Sequence, residues 1–390
     1  MIIHIGSTFL NCCLILFDFK LQTNNMTHLL QYRSHLILLG ALIFGGCKTP
    51  ASEKGKDLTH LPKRVQATYV TERLAHDSDD PAIWINSQEP SKSIILGTDK
   101  DSEGALYAFD LKGKIIDSLV VRNIQRPNNV DIGYGLDLGD RTVDFAVTGE
   151  RLTSRLRFYS LPDMKEINKG GIEIFIGEKG EEFRDLMGVA VYHDQGTGKH
   201  YVVAGRKNGP TDGTYLWQYE IIGNQGSIEL KLVRKFGTFS GQKEIEAIAV
   251  DNELGYIYYS DEGVGVRKYF ADPTKGNKEL ALFATEGFAK DHEGISIYKL
   301  DEQTGYILVS DQAANKFHVF PREGSKENPH HHKLITVINT GTVNSDGSDI
   351  VSVPLDETFK KGLFVAMSDD KTFQFYKWED LAGSALKSIK

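Results

Sequence analysis

Six short stretches of the chain share one form, in which a polar or acidic residue precedes alternating apolar positions. They are DPAIWIN from Asp80, NVDIGYG from Asn129, GVAVYHD from Gly188, EAIAVDN from Glu246, EGISIYK from Glu293 and DIVSVPL from Asp349. Their starts lie 49, 59, 58, 47 and 56 residues apart. Alternation with a period of two predicts strands with one buried face. A repeat of about 40–50 residues is the usual length of a four-stranded β-propeller blade.

Each unit continues with further strand-like segments. A second segment ends in charge, as in SIILGTDK, YIYYSDE and YILVSDQ, and a third follows it in every unit. Five units have a fourth segment, whereas the sixth ends after its third. The isolated segment VQATYV, Val65 to Val70, can supply the missing strand and hide both sheet edges. We therefore predict an all-β fold over residues 61–390, a six-bladed β-propeller of four-stranded blades closed by an N-terminal strand.

The first part of the chain differs from the repeats. The apolar stretch LILLGALIFGGC ends at Cys47 and is short for a membrane span, which is typical of a secretory signal. We predict a signal or lipoprotein leader over residues 1–47, with an alternative start at Met26, followed by a polar tether over 48–60. Cys47 would carry a lipid anchor, the sole predicted membrane attachment. The protein is then expected to be exported, as a periplasmic or cell-surface lipoprotein or in secreted form, and to be a monomer.

Composition narrows the classes of partner. The formal net charge is -8, which argues against a nucleic-acid-binding protein because such proteins need a basic face. The three cysteines all lie at or before Cys47, so the predicted propeller has no disulfide. Its stability must come from the fold or from bound metal.

In a propeller, residues before the first strand and after the second strand of each blade meet around the mouth of the central channel. The acidic members of these two sets include Asp77, Asp79, Asp80, Glu150, Glu246, Asp261, Glu262, Asp291, Glu293, Asp311, Asp346, Asp349, Asp369 and Asp370. One such residue is usually a solvated turn, but roughly ten carboxylates on one mouth would repel each other by several kcal/mol. Calcium, which takes six to eight oxygen ligands, would relieve that repulsion.

Other metals are less favoured by the sequence. Zinc and copper prefer Cys and His ligands, which are not grouped on this face. The run His330 to His332 falls between a third and a fourth strand, on the opposite face, and we expect an exposed loop there.

Basic residues lie on the other side of the predicted mouth. Lys100, Arg151, Arg206 and Lys207 come from the first three units, whereas acids dominate the others. A metal-bridged polyanion matches both halves, and phosphate fits best because Arg binds it through two parallel hydrogen bonds. The chain has no Walker-type glycine loop, and a Ser-His-Asp triad is not evident.

Five motifs carry a resemblance to a known family. They are DDPAIW at 79–84, NNVDI at 128–132, EAIAVDNELGYIYYSDE at 246–262, DHEGISIY at 291–298 and SDGSDI at 345–350. With these motifs the chain resembles the β-propeller phytases, which are calcium-dependent alkaline phosphatases of the 3-phytase type. The resemblance covers most of residues 61–390.

The resemblance implies a set of site residues and a reaction. Several Ca²⁺ ions would be held by Asp79, Asp80, Glu246, Glu262, Asp291, Glu293 and Asp346. Lys100, Arg151 and Arg206 would clamp phosphate and act in catalysis together with Glu246 and Glu262. The implied reaction is hydrolysis of the phosphomonoesters of phytate, myo-inositol hexakisphosphate, as its calcium complex, by a calcium-bridged water without a covalent intermediate.

Three positions depart from the family pattern. Asp101 stands where a second Lys is common, Met187 where a substrate-contacting Tyr is common, and Lys207 where a Glu is common. Because the changes at 101 and 207 exchange charges, we expect Lys207 to contact substrate and Asp101 to supply the compensating carboxylate. Two other functions stay open: a calcium-dependent propeller esterase or lactonase, and a non-catalytic propeller that binds a ligand.

Overall fold

The computed structural model describes residues 63–180 and 182–390, and within them the chain forms six four-stranded antiparallel sheets. This confirms the predicted six-bladed β-propeller. The predicted leader, Cys47 and the predicted tether lie outside the described residues. Among the residues that are described, no helix has the length and apolar character needed to cross a bilayer.

Successive strands along the chain build each blade from the channel outwards. Blade one contains β2 (Ser78–Trp84), β3 (Ile94–Asp99), β4 (Gly104–Phe109) and β5 (Val121–Ile124). Blade two contains β6 (Pro127–Asp137), β7 (Thr142–Glu150), β8 (Arg155–Leu161) and β9 (Ile172–Glu173). Blade three contains β10 (Leu186–Asp194), β11 (Lys199–Arg206), β12 (Leu216–Asn224) and β13 (Ser227–Phe236).

The other three blades follow the same order. Blade four contains β14 (Ile248–Asp251), β15 (Tyr256–Asp261), β16 (Gly265–Phe270) and β17 (Ala281–Phe283). Blade five contains β18 (His292–Lys299), β19 (Gly305–Asp311), β20 (Lys316–Pro321) and β21 (Thr336–Asn339). Blade six contains β22 (Ser348–Val351), β23 (Leu363–Ser368), β24 (Thr372–Lys377) and the N-terminal strand β1 (Tyr69–Val70), and helix α1 (Trp378–Ala382) follows β24.

Strand β1 closes the ring by pairing with β24, with Tyr69 opposite Phe375. The pairing extends one residue further on each side through the amides of Thr68 and Thr71. The strand is shorter than the predicted segment of residues 65–70, because the amide of Val65 donates instead to the carbonyl of Asn339 in blade five, at 2.8 Å. The segment from Val65 to Thr71 therefore links blade five to blade six.

Apolar side chains fill the six wedges between neighbouring blades. Between blades six and one, the rings of Phe109 and Phe373 are 6.0 Å apart and both are fully buried. A Cβ atom on Gly97 would lie 2.2 Å from the Phe373 ring, so a glycine is required for this close contact. Burying a side chain of the size of Phe contributes about 1.5–3 kcal/mol, so these wedges hold the ring closed without a disulfide.

Carboxylates also connect the innermost strands of neighbouring blades. Asp80 accepts a hydrogen bond from the Val130 amide, Asp131 from the Val191 amide and Asp349 from the Ile83 amide. All three line a cavity of about 210 Å³ inside the channel. Burial raises the pKa of Asp131 to about 7 and that of Asp349 to about 6.

In three blades an aspartate occupies the last position of the second strand. Asp99, Asp261 and Asp311 accept hydrogen bonds from backbone amides of the loop that leads into their own blade, at residues 76–77, 240 and 289. These side chains are almost fully buried. The sequence placed Asp261 and Asp311 among the acids of the mouth. In the structure each of them instead holds the loop that enters its own blade.

Candidate functional site

One position near the start of the first strand is equivalent in all six blades. In β2, β6, β10 and β18 the register shifts there, and a bulge of this kind redirects side chains at a sheet rim. In blades four and six the same position lies two residues before the strand. The six residues are Asp79, Asn128, Met187, Glu246, Glu293 and Asp346. Five of them carry side-chain oxygen, and Met187 is the exception.

Several predicted site residues meet in one cleft of about 770 Å³ at the mouth. Those that line it are Lys100, Lys207, Glu246, Glu262, Asp291, Glu293 and Asp346. Further residues on its wall are Glu182, Asn208, Gln242, Lys243, Glu244 and Gln312. Asp79 reaches this group through an ion pair between one of its carboxylate oxygens and Lys100 Nζ.

The carboxylates of the cleft are crowded. Oxygens of Glu244, Glu246 and Glu262 lie within 4.8 Å of one another. Burial, together with the charges of Glu244 and Glu246, raises the pKa of Glu262 to about 9. Burial and the charge of Glu262 also raise the pKa of Glu293 well above its usual value. A cation in the cleft would therefore favour the ionised forms of Glu262 and Glu293.

The donor set fits a hard divalent cation. Glu262 Oε1 and Glu293 Oε2 are buried and have no hydrogen-bond partner within residues 63–180 and 182–390. Asn128 Nδ2 donates to Glu246 Oε1 at 2.8 Å and orients that carboxylate, while Asn128 Oδ1 has no partner in the same part of the chain. Unpartnered carboxylate and amide oxygens are the ligands that calcium takes.

Lys100 lies among the acids rather than beside them. Its Nζ contacts Asp79 and lies 3.4 Å from Asp346 Oδ2. Burial alone lowers the pKa of Lys100, but the charges of Asp79, Glu246 and Asp346 outweigh that effect and raise it. Lys100 is therefore a fixed positive charge on the wall of the cleft.

Asp80 and Arg151, which the sequence also placed in the site, line other cavities. Asp80 faces the channel cavity, with one carboxylate oxygen occupied by the Val130 amide. Arg151 lines a smaller cleft, where its Nη2 atom is 3.6 Å from Asp185 Oδ2. Lys100 and Arg151 of the predicted phosphate clamp thus lie in two separate clefts.

Arg206 is not at the surface of the mouth, contrary to the sequence-based placement. Its side chain is 0% exposed and forms an ion pair with Glu178 at 2.9 Å. Its other contacts are hydrogen bonds to the carbonyl oxygens of Phe183, Thr214 and Tyr215. The guanidinium also lies 5.1 Å from the centre of the Phe175 ring. The end of β11 faces the apolar core between blades two and three. Arg206 therefore links the loop between β9 and β10 to blade three.

We expect Arg206→Ala to lower the free energy of unfolding by about 3–5 kcal/mol, because it leaves the buried partners of the guanidinium uncompensated. Denaturant unfolding would measure the loss. Arg155→Ala, which removes a partly buried guanidinium with one carbonyl contact at 2.9 Å, serves as control and should cost about 1 kcal/mol. Equal losses in the two variants would contradict the buried role of Arg206.

Asp101 does not supply the carboxylate that was expected to compensate Lys207. Asp101 caps its own turn by accepting hydrogen bonds from the Glu103 amide and the Ser102 hydroxyl. Lys207 Nζ instead pairs with Glu244 Oε2. The compensating carboxylate is therefore Glu244, which the sequence analysis missed. Glu244 stands two residues before Glu246, and in a pattern with a period of two both residues fall on the same face.

The histidine run lies between β20 and β21, as predicted, but His332 is not exposed. Its Nδ1 atom is 2.7 Å from the Pro321 carbonyl oxygen, and its Nε2 atom is 3.2 Å from Lys268 Nζ. Its ring packs 4.5 Å from that of Phe283. His332 is thus part of the packing between blades four and five.

Comparisons with known proteins identify the family of the chain. A family model described as Phytase matches residues 41–380. A relative described as 3-phytase, from Bacillus subtilis (strain 168), is 27% identical over 323 residues, which covers 78% of this chain and 80% of that protein. The family match spans most of the propeller, including every cleft residue named above. The chain belongs to the phytase family and is a phosphoric monoester hydrolase.

Proposed function

We propose that the mouth cleft binds calcium and hydrolyses the phosphomonoesters of phytate. The observation that carries the proposal is a cluster of crowded carboxylates, two of them with buried unpartnered oxygens, in the same cleft as three lysines. The carboxylates match calcium, and the lysines match phosphate oxygens. Membership of the phytase family, and the description of the relative as a 3-phytase, support the substrate.

Basic residues would bind the phosphate groups, and carboxylates would bind calcium. Lys100 and Lys207 face the cleft from blades one and three and would bind phosphate oxygens. Arg151, in its separate cleft, would bind a second phosphate of the same substrate. Asn128 holds Glu246 in position through its hydrogen bond. Calcium, when bound by Glu246, Glu262, Asp291 and Glu293, supplies neutralisation of phosphate charge and a lowered pKa of water.

The lysines separate this proposal from a calcium-dependent esterase. A neutral ester has no anionic group to bind Lys100 and Lys207, which would then contact only the neighbouring carboxylates of the cleft. A phosphate ester carries negative charge that increases in the transition state of attack at phosphorus, where fixed cations are most effective.

The test is release of inorganic phosphate from calcium-phytate. We expect turnover with calcium, loss of turnover with excess chelator, and recovery when calcium is restored. A neutral p-nitrophenyl ester of butyrate, assayed in parallel, should not be hydrolysed. Phosphate release that is unchanged in chelator would contradict the calcium dependence. Ester hydrolysis without phosphate release would contradict the substrate class.

A further inference from the structure

An ion pair lies at the border between the basic and acidic sides of the mouth cleft. Lys207, directly after β11, contacts Glu244 Oε2, four residues before β14. The lysine side chain is 44% exposed and that of Glu244 is 22% exposed. A pair so accessible to water contributes little to stability, so another anion can replace Glu244 on Lys207 at little cost.

Glu244 also belongs to the carboxylate cluster. One of its oxygens lies within 4.8 Å of oxygens of both Glu246 and Glu262. The Glu262 amide donates to the Glu244 carbonyl oxygen at 3.2 Å, which fixes the two backbones side by side. Glu262 is 4% exposed, and its Oε1 atom has no hydrogen-bond partner in the described part of the chain. Crowded acids with an unpartnered buried oxygen among them indicate a place for a cation.

We propose that Glu244 is an additional calcium ligand, and that Lys207 holds its carboxylate until a phosphate group of the substrate binds Lys207. The inference rests on the proposed function, since it takes calcium and a phosphate ester as the two ligands of the cleft. A phosphate oxygen replaces one charge-assisted contact of Lys207 by another. Glu244 can then join Glu246 and Glu262, and calcium accepts the change because its ligand number varies between six and eight.

The exchange makes the two ligands strengthen each other's binding. A phosphate ester releases a metal ligand, and a metal that has taken Glu244 leaves Lys207 available for phosphate. Linkage requires the same coupling in both directions. The enzyme would therefore bind calcium and its substrate together, which suits a substrate that arrives as a calcium complex.

The test is a calorimetric calcium titration with and without myo-inositol hexakissulfate, a polyanion without phosphoester bonds, at matched free calcium. In the unmodified protein the probe should tighten calcium binding by about tenfold, within the usual range of coupling between sites. Glu244→Gln should still bind the probe but lose this tightening. Lys207→Met should bind calcium more tightly without the probe and show no further gain with it.

Two further variants test whether Lys207 acts by holding the Glu244 carboxylate or only through its positive charge. Lys235→Met removes a lysine of similar exposure, 39%, outside the cleft, and should leave the coupling intact. The double variant Lys207→Met with Glu244→Gln should behave as Glu244→Gln alone, since the lysine acts through the carboxylate.

The outcomes also separate this inference from the proposed function. Tightening by the probe in Glu244→Gln equal to that in the parent protein would overturn the inference, even if calcium-phytate is hydrolysed. Absence of calcium binding in the parent protein would overturn the proposed function and the inference together.

Discussion

Removal of calcium should lower the melting temperature of the protein by on the order of 10 °C. A cation that binds the native state alone stabilises it by about 4 kcal/mol when present at a thousand times its dissociation constant. Each kcal/mol corresponds to about 2–4 °C in domains of 150–250 residues and to somewhat less in a larger domain such as this propeller. Differential scanning calorimetry in excess calcium and in excess chelator would measure the difference, and superimposable melting curves would contradict a calcium site in the cleft.

The stability of the calcium-free protein should decrease as the pH rises. Burial and neighbouring carboxylates raise the pKa of Glu262 in the folded protein from 4.5 to about 9. A group with a raised folded pKa favours the folded state fully below its unfolded pKa and loses that contribution as the pH rises through the folded value. The calcium-free protein should therefore lose stability between pH 4.5 and pH 9, whereas bound calcium should remove most of this slope.

Glu262→Gln provides the matched variant, because it removes the ionisable group and keeps the side-chain shape. At pH 8 its calcium-free form should melt above the calcium-free parent protein, and added calcium should stabilise it less. Glu357→Gln, at a 94% exposed side chain, should behave as the parent. A calcium-free Glu262→Gln protein that melts below the parent would show that the crowding of carboxylates is not a source of strain.

The repeat in the sequence was enough to predict the fold and most of the carboxylate cluster. Alternation located the innermost strands, and antiparallel connectivity required the residues before them to meet at one mouth. Glu246, Glu293 and Asp346 occupy the equivalent position of three blades and line the same cleft. Such an inference succeeds because it depends on chain direction and strand order, which the pattern of apolar positions records.

Side-chain direction at strand ends was not predictable in the same way. Arg206 and Lys207 are neighbours in the chain, yet Arg206 is buried at a wedge core and Lys207 faces the cleft. Asp79 and Asp80 diverge likewise, since the bulge in β2 sends Asp80 to the Val130 amide of the next blade. A one-residue change of register exchanges the two faces of a strand, and the sequence does not record the bulges that set it.

Lys100→Met should slow phosphate release from calcium-phytate by about 100-fold, because it removes one fixed donor to the charge that develops on phosphate. The side chain is 14% exposed, contacts Asp79 and lies 3.4 Å from Asp346 Oδ2. Loss of a positive charge from among these acids strengthens their attraction for a cation. We therefore expect calcium binding to stay as tight as in the parent protein or to become tighter.

Opposite changes in turnover and in calcium affinity distinguish a phosphate-binding lysine from one that only supports the metal carboxylates. Turnover at saturating calcium and calorimetric calcium titration measure the two quantities on the same preparation. Lys112→Met removes an exposed lysine from the same blade, between β4 and β5, and should change neither. If Lys100→Met loses calcium affinity in proportion to its loss of turnover, Lys100 serves the metal site and the phosphate contact must come from Lys207 and Arg151.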